Sequence, residues 1–312
     1  MNQMLLLALI LLATFGLAGL ILSGLLALAW HAGLRRVRAT ALDLIGLRLA
    51  PAVGALLVTL AIALPAFLGF EPHREEEAAG PWLLALAALG AACLMAGVWR
   101  AWRACDAARA LLMRCRPESG GRAAALPPLH LVDSAEPLVA VVGAWRPRIV
   151  ATESVRAACS GEEFRAVLAH EAAHLAAHDN LKLLLLTATP DALGLTPLAR
   201  ALTESWRAAA EGEADDRATR GDGARRLALA SALIKVARLL AGRHSPQPAL
   251  GMSVAADEVP ERVRALLGPP ARPPRARILL VLAAAALLMP LAALPRYALL
   301  HELMEQLVGL GR

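Results

Sequence analysis

Residues 4–30 run without a charged side chain and hold nothing more polar than Thr14 and Ser23. A bilayer's hydrocarbon core, about 30 Å thick, is crossed by roughly 20 apolar residues as a helix. The run exceeds the roughly 7–15-residue core of a cleaved signal peptide and lacks the basic stretch that precedes one. Three more runs follow at 51–70, 82–99 and 278–294, the last being the shortest and carrying Pro290. They explain a chain that is 58% hydrophobic and 19% charged, against roughly 45–50% and about 25% for an ordinary soluble domain. The expectation is a multi-pass α-helical membrane protein with about four transmembrane helices and one more polar domain between the third and the fourth. None of the runs encloses Asp, Glu, Lys or Arg, the usual mark of an ion path, which argues against a transporter.

The net charge of +6 could suggest a nucleic-acid partner. The basic residues are mostly Arg at the ends of apolar runs, with no zinc-finger spacing or RNA-binding signature, so no nucleic acid is expected. Their placement reads instead as topology. Arg35, Arg36, Arg38 and Arg48 follow the first run, whereas Glu71, Glu75, Glu76 and Glu77 outnumber Arg74 after the second. Arg100, Arg103, Arg109, Arg114 and Arg116 follow the third, and Arg262, Arg264, Arg272, Arg275 and Arg277 precede the fourth. All flanks predict an outside N-terminus and a cytoplasmic central block in the cell (inner) membrane. Trp30, Trp82, Trp99, Trp102 and Tyr297 sit near the expected interfaces, as an aromatic belt would. Cys93, Cys105, Cys115 and Cys159 form no C-x-x-C pair, which suits free thiols in a reducing compartment.

Within the central block, short apolar pieces at 129–132, 138–142 and 148–151 are bounded by Pro, Gly or Asp and predict strands. Ser160 followed by Glu163 makes a capping box, and an Ala-rich helix is expected from about 162 to 186. Further helices are expected at about 203–219 and 224–241. The stretch 181–189 is too short to span a bilayer.

The first of these helices carries His170-Glu171-Ala172-Ala173-His174. Histidines four apart lie one turn apart on one face and can reach a single ion, with Glu171 beside the first. Zinc lowers the pKa of a bound water toward about 7, and a carboxylate there can take its proton and pass it to a leaving amine. With 8 histidines in the chain, a chance H-E-x-x-H is expected only ~0.01 times. A catalytic zinc takes three protein ligands, and the next helix offers Glu211-Gly212-Glu213-Ala214-Asp215-Asp216. Glu211 and Asp215 share a face, giving Glu211 as ligand and Asp215 as the acceptor that orients a ligand histidine. Glu213 points away toward solvent. An ordinary acidic face is the competing reading of this segment. His178 is a poorer third ligand, because a straight helix would carry it past the ion. The metzincin position, six residues after the second histidine, is Asn180. Asp179 could bond the end of this helix or brace the next.

The segment 168–180, preceded by Arg146-Pro147-Arg148-Ile149-Val150, resembles the metallopeptidase domain of the BlaR/MecR antibiotic-sensor proteins, and 210–216 resembles that family's E-x-x-x-D segment. The order of parts is similar too. The resemblance implies a zincin-like α+β fold of the gluzincin type, with one Zn2+ per chain on His170, His174 and Glu211 and with Glu171 as general base. It also implies a cleft along 148–151 where an extended substrate adds as a strand. HtpX and CaaX prenyl proteases share both motifs, but membrane helices fall between theirs. No S-x-x-K nucleophile with its partner motifs follows the fourth run, so antibiotic sensing is not expected. None of His130, His244 and His301 stands out as an oxyanion donor.

The expected organisation is a membrane region at 1–103, a cytoplasmic zinc metallopeptidase domain at 104–276, and a fourth transmembrane helix with a short outside tail at 277–312. The expected function is hydrolysis of a cytoplasmic or membrane-proximal protein, the chain itself included. The alternative is a non-catalytic signal-transducing scaffold that retains a zinc site. Partners are a protein or peptide substrate and the lipid bilayer, with the oligomeric state open.

Overall fold

The computed structural model describes residues 3–36, 39–70, 79–117, 129–132, 134, 136–240, 251–252 and 258–269. These form two compact units, one from residues up to 99 together with 188–204, the other from 100–187 together with the described residues from 205 onward. The fourth apolar run, 278–294, and the tail lie outside the described residues, as does His244.

The first unit is built on α1 (Gln3–Ala32), α2 (Ala41–Val58), α3 (Leu64–Phe70) and the start of α4 (Pro81–Met113). Three stretches, Gln3–Ala32, Ala41–Gly69 and Pro81–Met113, are long and apolar enough to cross a membrane. Between α2 and α3 the helix widens into a π turn, in which Leu64 N–H reaches back to Thr59 O. Pro65 is the physical cause, since it has no N–H and its ring would strike the carbonyl four residues earlier.

Helix α2 begins upstream of the 51–70 run, behind a capping box between Thr40 and Asp43. Arg48, read from the sequence as part of a loop, is therefore inside the helix and buried. Its Nη1 lies 2.6 Å from Asp191 Oδ2, and Asp191 Oδ1 accepts the Gly194 amide at the head of the 3-10 turn Ala192–Leu195. The helix that contains the second run thus does enclose charge, with Asp43 buried as well. The uncharged-run argument holds only for 51–70 itself.

Helices α1 and α4 meet backbone to backbone. A Cβ on Gly16 would stand 2.7 Å from Leu86 O, and one on Gly90 only 2.1 Å from Leu12 O. Leu6, Ile10, Ala13, Leu83 and Ala87 pack beside this crossing.

The second unit contains one five-stranded sheet in the order β1-β2-β4-β3-β5, from β1 (Cys115–Pro117), β2 (Leu129–Val132), β3 (Val139–Val142), β4 (Arg148–Thr152) and β5 (Gly251–Met252). Only β2 and β4 run parallel. Strand β4 is central, paired to β2 on one side and β3 on the other. The expectation that 148–151 receives a substrate strand is therefore corrected, because β4 has no free edge.

Helices α5 (Glu153–Ala158), α6 (Gly161–Ala177), α7 (Asp179–Ala188), α8 (Pro197–Thr219), α9 (Gly223–Leu240) and α10 (Val259–Leu267) complete the described elements. Helix α8 begins among residues that group with the membrane helices and ends in the second unit. Val139, Ala151, Val155, Val167, Ala232 and Val236 form the core between sheet, α5, α6 and α9. The Ser160–Glu163 capping box is present, and Glu163 also accepts from Ser231 and Lys235 on α9, each at 2.7 Å.

The single Ala-rich helix expected to 186 is in fact two. His178 adopts the left-handed conformation, φ 57°, closing α6 before α7 starts. Helix α7 buries Leu183, Leu184 and Leu186, and Asn180 donates to Val141 O and Gly143 O, both at 2.9 Å.

The α1–α4 crossing makes a direct prediction. Gly90→Ala should lower stability by about 1–3 kcal/mol through overpacking, seen as a lower melting temperature in detergent. Gly24→Ala, whose Cβ would meet nothing within 4 Å, should leave the melt unchanged or raise it.

Candidate metal centre

His170 and His174 occupy successive turns of α6, and Glu211 comes from α8. One ligand atom from each lies within 4.8 Å of the others, and all three residues are buried. The two Nε2 atoms face each other at 3.1 Å. Glu211 Oε2 is 3.2 Å from the His170 Nε2, and Oε1 is 3.5 Å from that of His174.

The opposite nitrogen of each ring meets its own carboxylate. His170 Nδ1 lies 2.9 Å from Asp215 Oδ1, and His174 Nδ1 lies 2.8 Å from Asp179 Oδ2. An ionised carboxylate only accepts, so the His174 Nδ1 carries the proton and its Nε2 is directed to the cluster. The His170 Nδ1 is paired with Asp215 by proximity and charge, without hydrogen-bond geometry. The turn at His178 makes the second pairing possible. By reversing out of α6 there, the chain brings Asp179 back over a histidine five residues earlier, and Lys182 Nζ holds the other oxygen at 2.8 Å.

Glu171 is 2% exposed, and its Oε2 has no hydrogen-bond partner among the described residues. Burial pushes its carboxyl up, against the pull of His170 and His174. Burial acts against the imidazolium of His174, but Asp179 and Glu211 outweigh it and raise this histidine to about 10. His170 is raised for the same reason, with Asp215 and Glu211 overcoming burial. Glu211 lies well below the carboxylate range, because Arg262 and the two histidines more than offset its burial.

Arg262, on α10, belongs to no motif, and in the sequence it reads as a basic flank of the fourth apolar run. The structure buries it in the cluster instead. Its Nη1 is 2.6 Å from Glu211 Oε2, while Nη2 and Nε reach the two oxygens of Asp215 at 2.6 and 2.9 Å. No motif announces it; the one available signal is an Arg on the apolar face of a short helix opened by Val259-Pro260. Glu213 lies on the exposed face with Arg217 at 2.6 Å. His178 is the left-handed cap, away from the cluster's donor set, and His130 sits on β2 beside Arg148 at 3.4 Å.

Two imidazole nitrogens and a carboxylate suit a borderline divalent ion such as zinc, with ring partners that fix the tautomers. The unpartnered Glu171 oxygen beside them fits the same chemistry. Two histidines and one glutamate are a ligand set that metallopeptidases use. The family model described as BlaR1 peptidase M56 matches residues 82–266, more than half of the chain, and the chain belongs to that family. Comparison with curated proteins and with solved structures returned no match.

The metal-free site carries a pH signature. His174 is raised above the ordinary 6.5, so its contribution to stability is fully present below about pH 6.5 and is lost as pH rises toward 10. The melting temperature of chelator-treated protein should fall across that window, and Asp179→Asn should flatten the fall.

Proposed function

We propose that this chain is a membrane-embedded zinc endopeptidase whose peptidase domain, 104–276, faces the cytoplasm. The proposal places the N-terminus outside and a fourth membrane helix within 277–312. His170, His174 and Glu211 hold the metal, Asp215 and Asp179 orient the two histidines, and Glu171 is the general base. The observation that carries this reading is the buried His/His/Glu cluster beside a carboxylate oxygen that has no hydrogen-bond partner among the described residues. Membership in a peptidase family and three helices of membrane-crossing length support it.

A zinc ion held there supplies Lewis-acid polarisation of the substrate carbonyl and a water acidified toward neutral pH. The protein's residues do the rest. Burial makes Glu171 a stronger base than a solvated carboxylate. It takes the proton that water gives up on attacking the carbonyl carbon and delivers it to the amine nitrogen as the C–N bond breaks. The Nδ1–carboxylate pairs keep both imidazoles aimed at the metal throughout. The substrate is a cytoplasmic or membrane-proximal protein, with the chain itself among the candidates.

Zinc content and hydrolysis of an unstructured test protein, or of the chain itself, check these roles in detergent-solubilised protein. Glu171→Gln should retain about one zinc per chain and lose roughly 10²–10⁴ in rate. Glu211→Ala should lose both metal and activity. Zinc-loaded wild type that hydrolyses nothing would favour the scaffold alternative. Reporter fusions test orientation, with an alkaline phosphatase joined after residue 75 expected to be active and one joined after 121 inactive.

A further inference from the structure

Arg262 has a geometry that neutralising charge alone would not require. One edge of its guanidinium, Nη2 and Nε, grips both oxygens of Asp215, and the remaining Nη1 takes Oε2 of Glu211. Nη2 also lies 3.4 Å from His170 Nε2. Glu211 and Asp215 are one turn apart on α8, and each faces a different nitrogen of the same ring, His170 Nε2 at 3.2 Å and Nδ1 at 2.9 Å. The planar fork therefore fixes two carboxylates relative to each other and, through them, the orientation of His170. A lysine ammonium carries the charge but cannot hold this spacing.

The helix that delivers Arg262 is short and separately seated. Val259 and Leu266 pack with Ala218, Leu229, Ala230 and Leu233 of α8 and α9. Its last carbonyls are held from α9, where Arg226 donates to Ala265 O at 2.8 Å and to Gly268 O at 2.9 Å. Arg262 lies three residues after Val259 and four before Leu266, about one helical turn from each anchor on the buried face, whereas Arg264 is exposed.

We propose that Arg262 is a positioning residue of the metal centre, and that the seating of α10 against α8 and α9 thereby sets how tightly the site holds its metal. This rests on the zinc-site reading above. Arg262 reaches no substrate in the proposal; it acts through Asp215 and Glu211. A partner or conformational change that lifts α10 would loosen the metal without touching any of its ligands.

The test is zinc affinity of the full chain in detergent, measured by competition with a chelator, alongside circular dichroism and thermal melts. Arg262→Lys keeps the buried charge and with it the fold, and should bind zinc about 10–100-fold more weakly. Leu266→Ala, remote from the ligands, should weaken zinc in the same direction, while Arg264→Lys should match wild type. Wild-type affinity in Arg262→Lys would overturn the positioning role. A weakened Arg262→Lys with an unaffected Leu266→Ala would overturn the link to α10 seating. Wild type that takes up no zinc would instead sink the metal-site reading itself, and this inference with it.

Discussion

Four carboxylates, those of Glu171, Asp179, Glu211 and Asp215, are each 5% exposed or less, and the second unit is organised around making that tolerable. An unpaired charge in such a place is far more costly than a paired one. Glu211 and Asp215 share the guanidinium of Arg262, and Asp179 lies between His174 and Lys182. Of these four, only Glu171 has no ion pair among the described residues, and burial shifts its carboxyl upward. The requirement reaches into backbone shape as well. A left-handed histidine between α6 and α7 is costly for a residue with a Cβ, yet it is what returns Asp179 to His174.

Much of this was legible in the sequence, because the signals are local. The H-E-x-x-H spacing puts two imidazoles on one face whatever the surroundings, and the capping box at Ser160 marks the start of α6 from a four-residue window. The pairing of Glu211 with Asp215 follows from helical period alone. What was hidden depends on distance in the chain. Arg262 is joined to Asp215 across 47 positions, and no window of sequence distinguishes a buried arginine from one lining a membrane flank. His178 was hidden differently, since nothing in an Ala-rich stretch signals a change of backbone hand. Strand order was equally out of reach. The apolar piece at 148–151 reads the same whether central or at an edge, and only the pairing of β4 with both β2 and β3 removes it as a place for an added strand.

The membrane unit meets the same problem of buried charge in a different way. Arg48 and Asp191 neutralise each other while Asp191 also caps a 3-10 turn. Each carboxylate oxygen thus has its own partner. Where no charge is involved, space itself is the constraint. At Gly16 and Gly90 two helices touch through their backbones, and a side chain at either position would have no room.

The position of Arg262 in the chain also has a consequence for synthesis. Translation delivers both histidines, Glu171, Glu211 and Asp215 first, and the counter-cation shared by Glu211 and Asp215 emerges 47 residues after Asp215, a lag of roughly 2–9 s at ordinary elongation rates. During that interval Glu211 and Asp215 lack the cation that makes their burial tolerable, so dehydrating them is costly. The buried cluster is therefore complete only once α10 has been made, although every other member precedes it in the chain.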